Sequence, residues 1–173
     1  VWATTLVFFQ ITLLAGYAYA HFIVSYLAWH RQALVHGAVV MLALIVLPIA
    51  PNEALQPTDF ELPVGRILLI LTLTFGAPFF LLSATTPLLQ RWYTVLHPGR
   101  SPYRFYALSN VGSLLALLSY PFLIERFVRL QTQTWIWSLG YVLFAALCVV
   151  CGWQLACYSK AIANASGSAD KQA

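Results

Sequence analysis

The chain has 173 residues, 61% hydrophobic and only 8% charged, with a formal net charge of +4 and a mean hydropathy of +0.78. A soluble domain carries roughly 25% charged residues, so nine Lys/Arg and five Asp/Glu cannot solvate a globule of this size, and lipid must cover much of the surface. Charges so few and so scattered also exclude a nucleic-acid footprint.

The composition points to an all-α, polytopic transmembrane helix bundle. Crossing the ~30 Å hydrocarbon core takes about 20 mainly apolar residues. Five segments meet or approach that length, at approximately 2–28, 33–49, 64–89, 105–124 and 134–157. The first is too long for a signal peptide and has neither a basic lead nor a small-residue cleavage site. On it Gln10, Tyr17, His21 and Ser25 recur at helical spacing and form one polar stripe.

The second segment is closed by Pro48 and Pro51, and it carries His36 near its start. His21 lies roughly 12 Å down its own helix from Trp29. The two histidines therefore sit at different depths, which argues against a bis-His haem, and no cofactor is expected.

In the third segment Thr72, Gly76, Ser83, Thr86 and Gln90 align, and Pro78 and Pro87 interrupt the run. Each proline removes one ladder hydrogen bond and crowds the carbonyl four residues back, here Thr74 and Ser83, so kinks are expected at both. The fourth segment places Tyr106, Asn110, Ser113 and Tyr120 along one side, with Ser109, Gly112 and Ala116 beside them. Val111, Leu115, Leu118 and Phe122 form the opposite, lipid-facing side.

The fifth segment contains Cys148-Val-Val-Cys151. A redox pair needs an electropositive, partly exposed setting. Here the spacing falls among Leu, Ala and Val, where small apolar packing is the better reading. Residues 158–173 lack an apolar period and are expected to be a flexible tail or linker.

Two readings compete for the polar stripes. Small residues and hydroxyls let helices approach and bond across an interface, whereas intramembrane polar groups can also line a pathway or binding site. The candidate intramembrane polar positions are Gln10, His21, Thr86, Asn110 and Ser113, of which the amides have the strongest need for partners.

All six tryptophans (Trp2, Trp29, Trp92, Trp135, Trp137, Trp153) fall near expected span ends, where indole prefers the headgroup zone. Arg31, Arg91, Arg100, Arg104, Lys160 and Lys171 fall on one side of the membrane; Glu53, Asp59, Glu61, Arg66, Glu125, Arg126 and Arg129 fall on the other. The positive-inside rule then puts the N-terminus outside and the C-terminus in the cytoplasm. An external N-terminus without a translocation signal suggests an upstream span, so that 1–157 would be an incomplete transmembrane domain. No Gly-rich phosphate loop, Walker motif, H-E-x-x-H or nucleophile elbow occurs, and no acid pair lies inside a span. This chain is therefore not expected to be an enzyme, and no catalytic or metal-binding residue is assigned.

The run Ser83-Ala-Thr-Thr-Pro-Leu-Leu-Gln-Arg-Trp92 and the run from Pro102-Tyr-Arg-Phe-Tyr through Ser109-Asn-Val-Gly-Ser to Glu125 resemble the membrane region of bacterial fused major-facilitator/spermidine-synthase-like proteins. Phe8-Phe-Gln-Ile-Thr through Tyr-Ala-His21 resembles an earlier span of the same family. The likeness covers most of 1–153. It implies a bacterial inner-membrane location, further chain at both ends and a covalently linked aminopropyltransferase-like domain in the cytoplasm. The Gly-rich nucleotide loop and acidic polyamine-binding residues of that domain have no counterpart here. The resemblance implies a transporter-like module for a small molecule such as a polyamine. The alternative is a non-catalytic anchor or structural subunit of a larger membrane complex or tethered enzyme. The expected partners are the lipid bilayer, other membrane subunits or a linked soluble domain, and no nucleic acid.

Overall fold

The computed structural model describes residues 2–48 and 63–170. Val1, Ile49, Pro51, Glu53, Asp59, Glu61 and Lys171 lie outside the described residues, so the acidic link between the second and third spans is not placed. The described residues are helical, with no strand among them.

Helix α1 (Trp2–Tyr26) is an apolar run with no proline. It ends where Ala28 turns extended and opens α2 (Trp29–Leu42), which finishes as a 3-10 turn over Ala43–Val46. Pro48 stops it, because the residue before a proline is driven out of the helical region, and Leu47 is extended (φ −75°, ψ 149°). The helix starts four residues before the expected 33, since Gln32 and Ala33 are buried parts of its packing face. Its apolar stretch, Arg31–Val46, is about 24 Å long. It is thus shorter than a full crossing.

The third span is α3 (Pro63–Leu71), a π-helical turn over Thr72–Gly76, and α4 (Ala77–Leu96). The widened turn lies immediately before Pro78, where a regular ladder would leave the Thr74 carbonyl without its donor. Pro87, in contrast, lies inside α4, and the helix continues past it to Leu96 rather than ending near 89. The fourth span repeats the device. Here α5 (Tyr103–Ser119) passes through a π turn over Tyr120–Ile124, around Pro121, into α6 (Glu125–Phe127).

Helix α7 runs from Leu130 to Asp170, so its backbone stays helical into the residues that follow the apolar span. Residues 158–170 contain no proline, so every backbone N–H remains available to extend the helix that the apolar span has nucleated. Four helical stretches (Trp2–Tyr26, Val64–Leu96, Tyr103–Phe127 and Leu130–Tyr158) are long and apolar enough to cross a membrane. With the shorter α2 they make the expected all-α multi-pass bundle.

Packing is led by α1 on α4 and α2 on α7. One core layer joins Ala20, Ile23, Ala33, Leu88, Trp92 and Leu155 from four helices. A second joins Val40, Ala43, Leu81, Tyr141, Ala145 and Cys148. Gly16 sets the α1–α4 approach: a Cβ there would lie 2.9 Å from the Phe80 carbonyl oxygen and collide with the Ser83 side chain.

Candidate functional site

Between the two core layers the bundle encloses a polar junction. His36 of α2 is fully buried, and its Nε2 lies 2.8 Å from Thr85 Oγ1 of α4. The Thr85 hydroxyl donates its single hydrogen to the Leu81 carbonyl at 2.6 Å, so Thr85 must accept from His36. That assigns the imidazole hydrogen to Nε2. One turn away, Trp92 Nε1 donates to Gln32 Oε1 at 3.1 Å, and Gln32 Nε2 donates to the Leu27 carbonyl at 2.8 Å. Tyr19 of α1 flanks the junction, its ring centroid 5.9 Å from that of His36. The Tyr19 hydroxyl, His36 Nδ1 and the Tyr141 hydroxyl are buried with no hydrogen-bond partner among the described residues.

This junction ties α2 to α4 across the apolar core. It contains no carboxylate and no group of three metal-ligating side chains, nor does any such group occur among the described residues. Cys148 packs in the second core layer, as its small apolar setting suggested, and Cys148, Cys151 and Cys157 are all free thiols.

The sequence-derived candidates lie elsewhere. Gln10 and His21 are exposed on α1, together with Tyr17 and Ser25. Their stripe is continuous, but it faces away from the contact that Gly16, Ala20 and Ile23 make with the bundle. His21 and the fully buried His36 therefore do not face a common ligand. Asn110 and Ser113 are exposed on α5, a helix with no buried residue. Thr86 is also exposed, one residue from the buried Thr85, but it lines a cleft. Trp92, expected at the headgroup boundary, is buried with 3% exposure.

That cleft is the second feature of note. Helix α5 is fastened at one end by Tyr93, whose ring stacks on His97 at 4.6 Å and meets Phe105 edge-on at 4.7 Å. At the other end the Tyr120 hydroxyl donates to Gln133 Oε1 of α7 at 3.2 Å. Between these pins α5 stands off from the bundle, and an open cleft of about 440 Å³ separates it from α4 and α7. Its wall is mostly apolar, with Thr86, Gln90, His97, Ser109 and Gln154 as the polar exceptions. Two further clefts, of about 490 and 390 Å³, lie toward Gln133 at the other end.

Comparison with protein-family models, with curated proteins and with solved structures finds no match for this chain.

Proposed function

We propose that the chain is a non-catalytic membrane module that assembles with further transmembrane helices, acting as an anchor or structural part of a larger membrane protein. One observation carries this reading: α5 has no buried residue, although Asn110 lies on it about 10 Å in from Tyr103. A primary amide in hydrocarbon needs a hydrogen-bonding partner. None of the contacts among the described residues supplies a packed environment for it. The outward stripe of Gln10 and His21 on α1 poses the same demand on a second face.

The resemblance to the membrane region of fused major-facilitator/spermidine-synthase-like proteins supports the same reading, with an aminopropyltransferase-like domain as the thing anchored. Basic residues at the α4–α5 turn favour placing that end at the cytoplasmic face of a bacterial inner membrane. Polyamine transport is less well supported, because a polycationic cargo calls for intramembrane carboxylates, and no acidic residue occurs between positions 63 and 124.

A photo-crosslinking residue placed at Asn110 in native membranes tests the proposal, with the same probe at Phe122 on the opposite side of the helix for comparison. Protein adducts from position 110 and lipid adducts from position 122 are expected. Lipid adducts alone from both positions would overturn it.

A further inference from the structure

We propose that the cleft between α4, α5 and α7 is an anionic-phospholipid site, with one acyl chain lying in the cleft and the phosphate held by the arginines of the α4–α5 turn. Its volume of about 440 Å³ falls within the range of roughly 300–1,000 Å³ typical of small-molecule sites. Its walls have the character of a lipid chain's surroundings, since Leu89, Trp92, Leu96, Phe105 and Leu108 are apolar and Tyr93 and Cys151 add further weakly polar surface. The polar wall groups, Thr86, Gln90, His97, Ser109 and Gln154, include no acid, which suits ester, glycerol and phosphate oxygens better than a cationic cargo.

Charge sits where the headgroup would be. Arg91 lies between the cleft-lining Gln90 and Trp92, Arg104 directly precedes the cleft-lining Phe105, and Arg100 closes the turn by donating its backbone N–H to the His97 carbonyl at 3.1 Å. All three arginines are exposed. No acid occurs from 63 to 124, and Glu125 lies beyond the far end of α5, about 30 Å along the helix. This end is therefore a concentrated cationic rim above an apolar slot, a combination that recognises anionic headgroups between transmembrane helices.

The α5 side of the slot also fits. Ser109, Gly112 and Ala116 follow one another along the helix face that turns toward the bundle, in line with Phe105 and Tyr120. Small side chains there leave width for a chain, while Tyr93 and the Tyr120–Gln133 bond hold the two helix ends in place. Asn110 is about 100° further round from Ser109, so lipid in the slot does not satisfy it. The lipid site and the assembly face are distinct.

The test uses the purified protein in nanodiscs of mixed phosphatidylcholine and phosphatidylglycerol, with lipid near the protein read by native mass spectrometry after gentle release. Phosphatidylglycerol should be retained above its bulk fraction, and the enrichment should fall about fivefold for each arginine lost in the series R91Q, R100Q and R104Q. Ser109→Trp should displace the retained lipid while helical content and melting temperature stay unchanged. Absence of enrichment in the unmodified protein, or enrichment unaffected by both kinds of variant, overturns the proposal. So does equal binding of a water-soluble glycerophosphate, which would need the arginines but not the slot. A photo-crosslinker at Leu108 should give lipid adducts; protein adducts there would place another helix in the cleft and overturn the lipid site while leaving the assembly reading intact.

Discussion

His36 and Thr85 join the short helix α2 to the long helix α4 by a 2.8 Å hydrogen bond inside an apolar core. Thr85 spends its only hydrogen on Leu81, so the histidine is the donor and the hydroxyl oxygen is shared. Thr85→Val keeps the shape but leaves the His36 Nε2–H without an acceptor. Interhelical bonds of this kind are worth roughly 0.6–2 kcal/mol in membranes, and an orphaned buried donor adds to the loss. The unfolding midpoint of Thr85→Val in detergent should therefore drop clearly, while Thr85→Ser should recover most of it. Equal melting of Thr85→Val and the parent protein would show that the bond contributes nothing.

Gly16 is the point at which α1 comes nearest to α4. An added Cβ would meet the Phe80 carbonyl oxygen at 2.9 Å as well as the Ser83 side chain, and backbone cannot yield as a flexible side chain does. Gly16→Ala should destabilise by about 1–3 kcal/mol, the usual cost of overpacking, and Gly16→Leu should separate the two helices. Gly37 has nothing within 4 Å of its would-be Cβ, so Gly37→Ala is the matched control and should be neutral or slightly stabilising. Thermal melts of the three variants in one detergent decide the matter.

Trp92 gives a third, independent prediction. Its indole N–H donates to Gln32 at 3.1 Å, and the ring is buried in the core layer with Leu88 and Leu155. Trp92→Phe keeps much of the apolar volume but strips Gln32 Oε1 of this donor, which should cost about 1 kcal/mol. Gln32→Leu in the Trp92→Phe background should recover part of that loss, because both polar partners are then gone. A double-mutant cycle measures the coupling; a coupling indistinguishable from zero would refute the bond.

These residues also show what could and could not be read beforehand. The all-α class and the long apolar helices follow from the apolar runs, and the bundle matches them with four helices long enough to cross a membrane and the shorter α2. The inward faces do not follow, because lipid is as apolar as the core and the hydrophobic contrast that orients a soluble helix is absent. A polar stripe is then the main sequence signal for an interior face, and on α1 that stripe turns outward. The better signal on α4 was the period Leu81, Thr85, Leu88, Trp92, all of which are buried, but it competed with the more polar line through Thr86 and Gln90. Similarly, Trp92 lies near a span end in sequence and yet faces the core. A π turn lies beside Pro78 and another around Pro121, whereas the helix runs on through Pro87.

Asn110 yields the last prediction, and the contrast with Thr85 is its basis. Both are polar groups within helices of a membrane bundle, but Thr85 is buried against His36 whereas Asn110 is exposed on a helix with no residue buried among the described residues. Replacing Asn110 with Leu should therefore leave the melting temperature of the isolated chain unchanged or slightly higher, because no internal contact is lost and an amide is removed from lipid. Any loss should appear only in assembly, where one interhelical amide bond contributes about 0.6–2 kcal/mol, or roughly threefold to thirtyfold in association. Fluorescence transfer between labelled membrane components in vesicles at several protein-to-lipid ratios would read it, with Val111→Leu as the neighbouring control. Weaker association for Asn110→Leu, with an unaltered melt, supports an assembly face on α5. A lowered melt with unchanged association would instead mean that α5 folds back and uses Asn110 within the chain, which would contradict the role assigned to this helix.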